Sequence, residues 1–402
     1  MKNIKKYFQQ KEQPQEQKKE SETEDTQGKT SIKSPKIYNI KSPAAGNYPQ
    51  GLYKYPYKPN SITFEQFTQT LEWFPEVKQT FAKNTQYTAV LTLVPASSDY
   101  TFKNVCLDDV TGLPFENISD ISSEISDDSM IIKIVFEKTS AEDAEAQLIF
   151  YDDFEGDTLD TTKWNVCPLW DRQGRSTWSG DMVSVGGGYL HLAFKRDTEL
   201  GRSKSSKKSI AENWIKSGGI RSRAEYGDEI IFENTFGYYE AGIKFPKVKG
   251  MWGAFWLMTM AQLIITDDAV IGAEIDIIET MANPSDKFSA AYHWNGYGKD
   301  HRNAFSGDIK LSGIDIYDGD FHVIGLDWSP GEYIFYVDGT EFWRCDGGEK
   351  FSGSGINRNP NYIKLTVEGA DFAGALPADF TEGEMLVDYV RVYNQPKSQV
   401  KF

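Results

Sequence analysis

From about residue 150 to residue 396, apolar residues recur with the period of two that belongs to extended chain, in short runs bounded by turn residues. Tyr189-Leu-His-Leu-Ala-Phe194, Tyr238-Tyr-Glu-Ala-Gly-Ile-Lys-Phe245, Met251-Trp-Gly-Ala-Phe-Trp-Leu-Met258, Phe321-His-Val-Ile-Gly-Leu-Asp-Trp328 and Met385-Leu-Val-Asp-Tyr-Val-Arg-Val-Tyr393 are such runs. Val337-Asp-Gly339 supplies a turn signal after one of them, Tyr333-Ile-Phe-Tyr-Val337. So many strands without intervening helices have one economical solution, two large sheets packed face to face. The expected fold class is therefore all-β. The 24 Phe, 21 Tyr, 10 Trp and 34 Gly agree with it, because aromatic strand faces joined by Gly-rich turns have that composition.

At 402 residues the chain is long enough for a second, smaller unit and a tail. Residues 1–44 are rich in Gln, Glu, Lys and Ser with almost no apolar periodicity, and are expected to form a disordered polar tail. Between 45 and 147, Gln69–Phe74, Tyr87–Pro95, Tyr100–Leu107 and Met130–Lys138 read as strands of a small antiparallel sandwich. The run from Gln86 to Val105 resembles an immunoglobulin-like module repeated in bacterial surface proteins. Trp73 with Tyr53, Tyr55 and Tyr57 has the makings of a sugar-stacking platform, but alternating aromatics more often fill a sandwich core, which is the preferred reading. A spacer or anchor is the expected role of this unit.

The formal net charge is −16. Nine Lys and six Asp/Glu in the first 36 residues give +3 there, so the remainder carries −19. A surface that negative repels phosphate backbones, which excludes nucleic acid as a partner. No stretch is long and apolar enough to span a bilayer. Three cysteines, at 106, 167 and 345, have no metal spacing and cannot all pair; a Cys167–Cys345 bridge within the second unit stays open.

The chemistry is concentrated in Ala273-Glu-Ile-Asp-Ile-Ile-Glu279. In a strand, Glu274 and Asp276 project from one face while Ile275 and Ile277 enter the core. Strict alternation would send Glu279 to the core side; one extra residue absorbed in a β-bulge at Ile277-Ile278 returns it to the acidic face. Three crowded carboxylates raise one another's pKa, a cost that a site can use. Glycoside hydrolysis needs two carboxyl groups in opposite protonation states, and a third between them to orient the ionised one.

Glu-Ile-Asp-Ile-Ile-Glu resembles the active-site signature of glycoside hydrolase family 16. The similarity extends to Asp153–Asn165, Gly219–Arg223, Phe236–Pro246, Gly250–Leu257 and Val387–Tyr393, in order. The resemblance implies a concanavalin-like β-jelly roll over residues 150–396 with a cleft across its concave sheet. It implies Glu274 as nucleophile, Asp276 as the assisting carboxylate and Glu279 as acid/base. The extra residue before the last Glu is the bulged form of the laminarinase-like and galactan-cleaving branches.

Around the carboxylates, Trp252 and Trp256 share a strand face and are expected to stack on sugar rings. His293 is expected near Glu279, with Trp294 as second choice, because alternation divides the two between faces. Trp178, in a polar stretch, is expected at an exposed rim loop. Some relatives hold a structural calcium, and Asp153 and Asp388 match that arrangement; no cofactor is expected for catalysis. Ala261–Ile271 is more apolar than the family's usual loop.

The implied activity is that of a retaining endo-β-glycanase, with β-1,3- or mixed-linkage glucan as the expected polysaccharide or oligosaccharide substrate. The alternatives are a hydrolase of agarose, carrageenan or porphyran, and a non-catalytic carbohydrate-binding protein. A transglycosylase would share the covalent step. A monomer at or beyond the cell surface is expected from such a substrate, although no apolar signal segment follows the basic N-terminus.

Overall fold

The computed structural model describes residues 28–400 except 38–39, 50–60, 64, 115, 173–174, 224–230, 260–268, 271 and 282–286. Tyr53, Tyr55, Tyr57 and nearly all of the apolar Ala261–Ile271 segment therefore lie outside the described residues. No helix among the described residues is long and apolar enough to cross a membrane.

Two sheets form the jelly-roll sandwich. A seven-stranded sheet runs Arg302–Phe305, Phe288–Trp294, Glu274–Met281, Met251–Met258, Tyr362–Gly369, Gly219–Arg221, Asn165–Val166. Every pairing in it is antiparallel. The second sheet has eleven strands, with Glu382–Tyr393, Gly237–Lys244 and His322–Trp328 side by side at its centre. The period-two pattern explains the assembly. Ile275, Phe255, Leu257, Tyr292, Ile363 and Leu365 of the first sheet enter one core with Leu192, Tyr239, Ile243, Leu326 and Val387 of the second. Tyr333–Val337 alternates buried and half-buried positions, as a strand covered on one face should.

The opening segment is fastened to this core by a buried hydrogen bond. Trp164 donates its indole N–H to Asp152 Oδ2 at 2.7 Å, and Asp152 Oδ1 accepts the Phe154 amide at 3.1 Å. Trp164 packs edge-on against Phe150 at 5.2 Å.

Residues 61–138 form a five-stranded antiparallel sheet, ordered Ser61–Thr63, Phe67–Phe74, Gln86–Pro95, Ser129–Lys138, Ile118–Ser126. Its covering layer is a two-stranded parallel ribbon, Thr30–Ser31 with Tyr100–Thr101, and the extended chain that follows Ser31. Over residues 28–44 this corrects the expected tail, while residues 1–27 lie outside the described residues. Ile32, Ile37 and Ile40 are buried in the core of the small sheet with Leu91, Phe102 and Ile132. Three well-spaced isoleucines in a polar stretch show no local period, yet each fills a gap over a sheet made elsewhere. Trp73 packs on Phe81 and Phe136 at 5.0 and 5.7 Å, the core role preferred for it.

The cysteines are all free, so the Cys167–Cys345 bridge does not form. Cys167 packs on the outer side of the seven-stranded sheet with Trp178 and Trp256, whereas Cys345 ends a strand of the other sheet and joins the central core.

Replacing Trp164 with Phe keeps the ring and strands Asp152 without its indole donor. Urea unfolding should register a loss of about 1–3 kcal/mol; an unchanged midpoint would mean that the bond contributes nothing to holding the segment.

Candidate active site

The outer face of the seven-stranded sheet carries the site, and the bulge expected in Glu274–Met281 is present. Trp256 faces Asp276 and Ala254 faces Glu279, so two steps on one strand match three on the other. The same slip occurs on the opposite side, where Asp276 pairs with Ala291 and Glu279 with Ser289. Ile277 and Ile278 are both fully buried in the core, and Glu279 returns to the face of Glu274 and Asp276.

Glu274 pairs across the sheet with His293 and accepts a short hydrogen bond from the Tyr297 hydroxyl. The Tyr297 ring is half exposed while its hydroxyl end is enclosed beside the carboxylate. Asp276, nearly buried, lies 3.1 Å from His293 Nε2. His293 Nδ1 meets His301 Nε2 at 3.0 Å, with the rings stacked at 5.1 Å. Burial alone would lower the His293 pKa, but the bond and charge of Asp276, with the charges of Glu274 and Glu279, push it up to about 9. His293 is thus an imidazolium at neutral pH. His301, lowered by burial and by the His293 charge, is neutral and accepts from it.

The two glutamates differ. Burial, then the Asp276 charge, raises Glu274 to about 7, against the opposing pull of His293, the Tyr297 hydroxyl and Arg172. Glu279 is raised further, well above the usual carboxylate range, by burial and by the charges of Asp276 and Glu274. His293 and the Trp252 indole oppose that shift, although the indole N–H makes no well-formed hydrogen bond. Over a window of pH near neutrality one carboxyl is ionised and its neighbour protonated. That is the division of labour a retaining glycosidase requires.

Beside Glu274 stands a wall of cations and indoles. The Arg172 guanidinium pairs with Glu368 at 3.1 Å and lies 4.4 Å over the Trp178 ring. Lys364 Nζ sits 4.4 Å over Trp178 and 3.8 Å over Trp256, and burial pulls its ammonium down to about 8. Arg221 faces Lys364 across the next strand pair.

Several expected residues are used differently. Trp252 is half-buried on the site face, edge-on to the exposed Phe372 at 5.1 Å. Trp256 shares that face but is nearly buried, donates to Thr366 Oγ1 at 3.0 Å and has Lys364 over its ring, so it is not an open stacking surface. Trp178 corrects the exposed-loop expectation: it ends the Ser176–Trp178 strand and is 3% exposed, because Arg172 and Lys364 cover it. Trp294 lies in the core, stacked on Tyr292 at 5.1 Å, since alternation sends it opposite to His293. Asp153 is exposed beyond its strand and Asp388 occupies a bulge of Glu382–Tyr393, while the inward carboxylate of the opening segment is Asp152. Among the described residues neither Asp153 nor Asp388 joins a group of three carboxylate, thiol or imidazole ligands; Glu274, Asp276 and His293 form one. Tyr297, His301, Arg172 and Lys364 were not singled out from the sequence. Tyr297 follows the His-Trp-Asn-Gly run closely enough to have been a candidate; the others become neighbours only through the fold.

Residues 148–395 match the family model described as β-porphyranase A–D, GH16 domain. The chain belongs to glycoside hydrolase family 16. It is 26% identical over 275 residues to the glucan endo-1,3-β-glucosidase A1 of Niallia circulans, covering 63% of this chain and 38% of that one. The keratan-sulfate endo-1,4-β-galactosidase of Sphingobacterium multivorum is 26% identical over 264 residues, 64% of this chain and 57% of that one. The β-porphyranase D of Zobellia galactanivorans is 26% identical over 281 residues, 63% and 62% respectively. This family 16 chain thus spans less than two thirds of the length of each.

His293→Gln removes the charge that holds the Glu274 pKa down. The Glu274 titration midpoint, followed by carbon NMR of labelled glutamate, should move above about 7; a midpoint that falls or stays would contradict the electrostatic account.

Proposed function

We propose that the chain is a retaining endo-β-glycanase in which Glu274 attacks the anomeric carbon and Glu279 protonates the leaving oxygen. The observation that carries this reading is the pair of glutamates on one face with pKa values pushed to different heights. In the first step, the C–O bond to the leaving sugar breaks as the Glu274 carboxylate forms a glycosyl ester. The Glu279 proton goes to the departing oxygen. In the second step, Glu279 takes a proton from water, whose oxygen attacks the same carbon and releases Glu274. Asp276 and His293 act as positioning residues: the imidazolium lies 3.1 Å from the Asp276 carboxylate beside Glu274, and Tyr297 fixes the orientation of the nucleophile.

For substrate we infer a β-linked galactan bearing anionic groups, of the porphyran type, in preference to a neutral glucan. The matched family model and two of the relatives are named for porphyran or keratan sulfate. In a chain of net charge −16, Arg172, Lys364 and Arg221 gather three cations beside the carboxylates, a concentration of positive charge that supports an anionic sugar. Reducing-end assays on porphyran, agarose, carrageenan, laminarin and lichenan test it. Porphyran should be cleaved fastest; cleavage of laminarin or lichenan alone would sink the substrate and leave the mechanism standing.

Glu274→Gln and Glu279→Gln should each cost about 10²–10⁴-fold in kcat or more, with β-configured product from the parent by proton NMR. Full activity in either variant would remove the mechanism. The kcat/KM profile should be a bell. Its acid limb lies near 7, where Glu274 loses its proton, and its alkaline limb lies higher, where Glu279 does. A rate unchanged across that range would contradict both assignments.

A further inference from the structure

Residues 295–301 join the antiparallel strands Phe288–Trp294 and Arg302–Phe305 at the edge of the catalytic sheet. The turn takes its shape at its first two residues. Asn295 and Gly296 both have left-handed backbone, with φ of +68° and +71°, a region that glycine enters freely and asparagine more readily than most. Asn295 is nearly buried, and its side chain donates to the Asp300 carbonyl at 2.7 Å. The His301 amide donates to the Gly298 carbonyl at 3.2 Å and closes the turn. Folded this way, the turn delivers two groups to the site. Tyr297 places its hydroxyl on Glu274, and His301 places Nε2 3.0 Å from His293 Nδ1.

An imidazole is useful to a site only when its ring faces the right way. His293 serves the carboxylates through Nε2, 3.1 Å from Asp276. Turned over about its bond to Cβ, the ring would put a carbon where each nitrogen now stands. As an imidazolium it carries a second proton on Nδ1, which costs free energy in an enclosed site unless an acceptor meets it. His301 Nε2 is that acceptor, and the two rings lie within 8° of parallel, so an in-plane N–H meets an in-plane lone pair. We propose that His301 is a positioning residue for the reaction: by accepting from Nδ1 it locks the His293 ring with Nε2 on Asp276, and it holds the support of the nucleophile without touching sugar. The proposal rests on the catalytic reading given above and extends that support by one residue.

The test compares His301→Gln, which keeps an acceptor, with His301→Phe and His301→Ala, which do not, in the full chain. Kinetics are measured on porphyran, or on laminarin should that be the polysaccharide cleaved. Both acceptor-free variants should lose about ten- to a hundredfold in kcat, with KM within about twofold of the parent. His301→Gln should stay within about threefold in kcat. A residue that only packs would be replaced best by Phe and not by Gln. In proton NMR, the His293 Nδ1–H signal, identified by its loss in His293→Gln, should be protected from solvent exchange in the parent and in His301→Gln, and absent from the other two. Parent kcat in the acceptor-free variants, losses as large in His301→Gln as in His301→Phe, or a raised KM with unchanged kcat would overturn the assignment. A fully active Glu274→Gln variant, or a parent that cleaves nothing, would count against the catalytic reading, while the Nδ1–H signal would still decide whether His301 holds His293.

Discussion

Three carboxylates on one strand face are tolerable only because a protonated imidazole stands among them. Asp276 is the pivot: it lies 3.1 Å from His293, and its charge raises both glutamates. His293 in turn stays protonated only because three acidic groups outweigh its own burial. Neither side is stable in its working charge state without the other. The backbone serves this arrangement. The slip that buries both Ile277 and Ile278 is what lets a strand with an apolar core face carry Glu279 on its opposite face.

The asymmetry between the glutamates follows from their neighbours. Both feel Asp276 and His293, but Glu274 alone receives the Tyr297 hydroxyl and the Arg172 charge. Those groups lie on opposite sides: Tyr297 follows the strand that pairs with Glu274, and Arg172 belongs to a strand of the other sheet that reaches across to Glu368. The difference in proton affinity is therefore set by the surroundings and not by the signature itself.

That division also marks what could be read from the chain. The bulge was legible, because the spacing Glu-x-Asp-x-x-Glu leaves one residue too many for strict alternation. His293 and Trp294 were separable for the same reason, and the structure sends Trp294 into the core. Trp178 was misread because its cover, Lys364, is far away in sequence and a polar stretch around a tryptophan looks like an exposed loop. Ile32, Ile37 and Ile40 were lost in a polar segment since their burial depends on a sheet formed by residues after 60. Periodicity sees what a strand does to its own faces. It is blind to a side chain arriving from another sheet.

On the proposed reading, the cation wall has two tasks that compete. Arg172 lowers the Glu274 pKa, and it is also one of the cations to which the proposed anionic sugar would be drawn. An anionic group settling against Arg172 would cancel part of that field and let Glu274 rise toward protonation, which works against attack. Two features limit the conflict. Glu368 already shares the guanidinium, so the field at Glu274 is that of a partly neutralised cation even before substrate arrives. Lys364, whose ammonium burial pulls down to about 8, keeps most of its charge at neutral pH, and an approaching anion would favour that charged form further. On the proposed reading, Lys364 beside Arg172 keeps a second positive charge near Glu274 when an anionic sugar settles on the first.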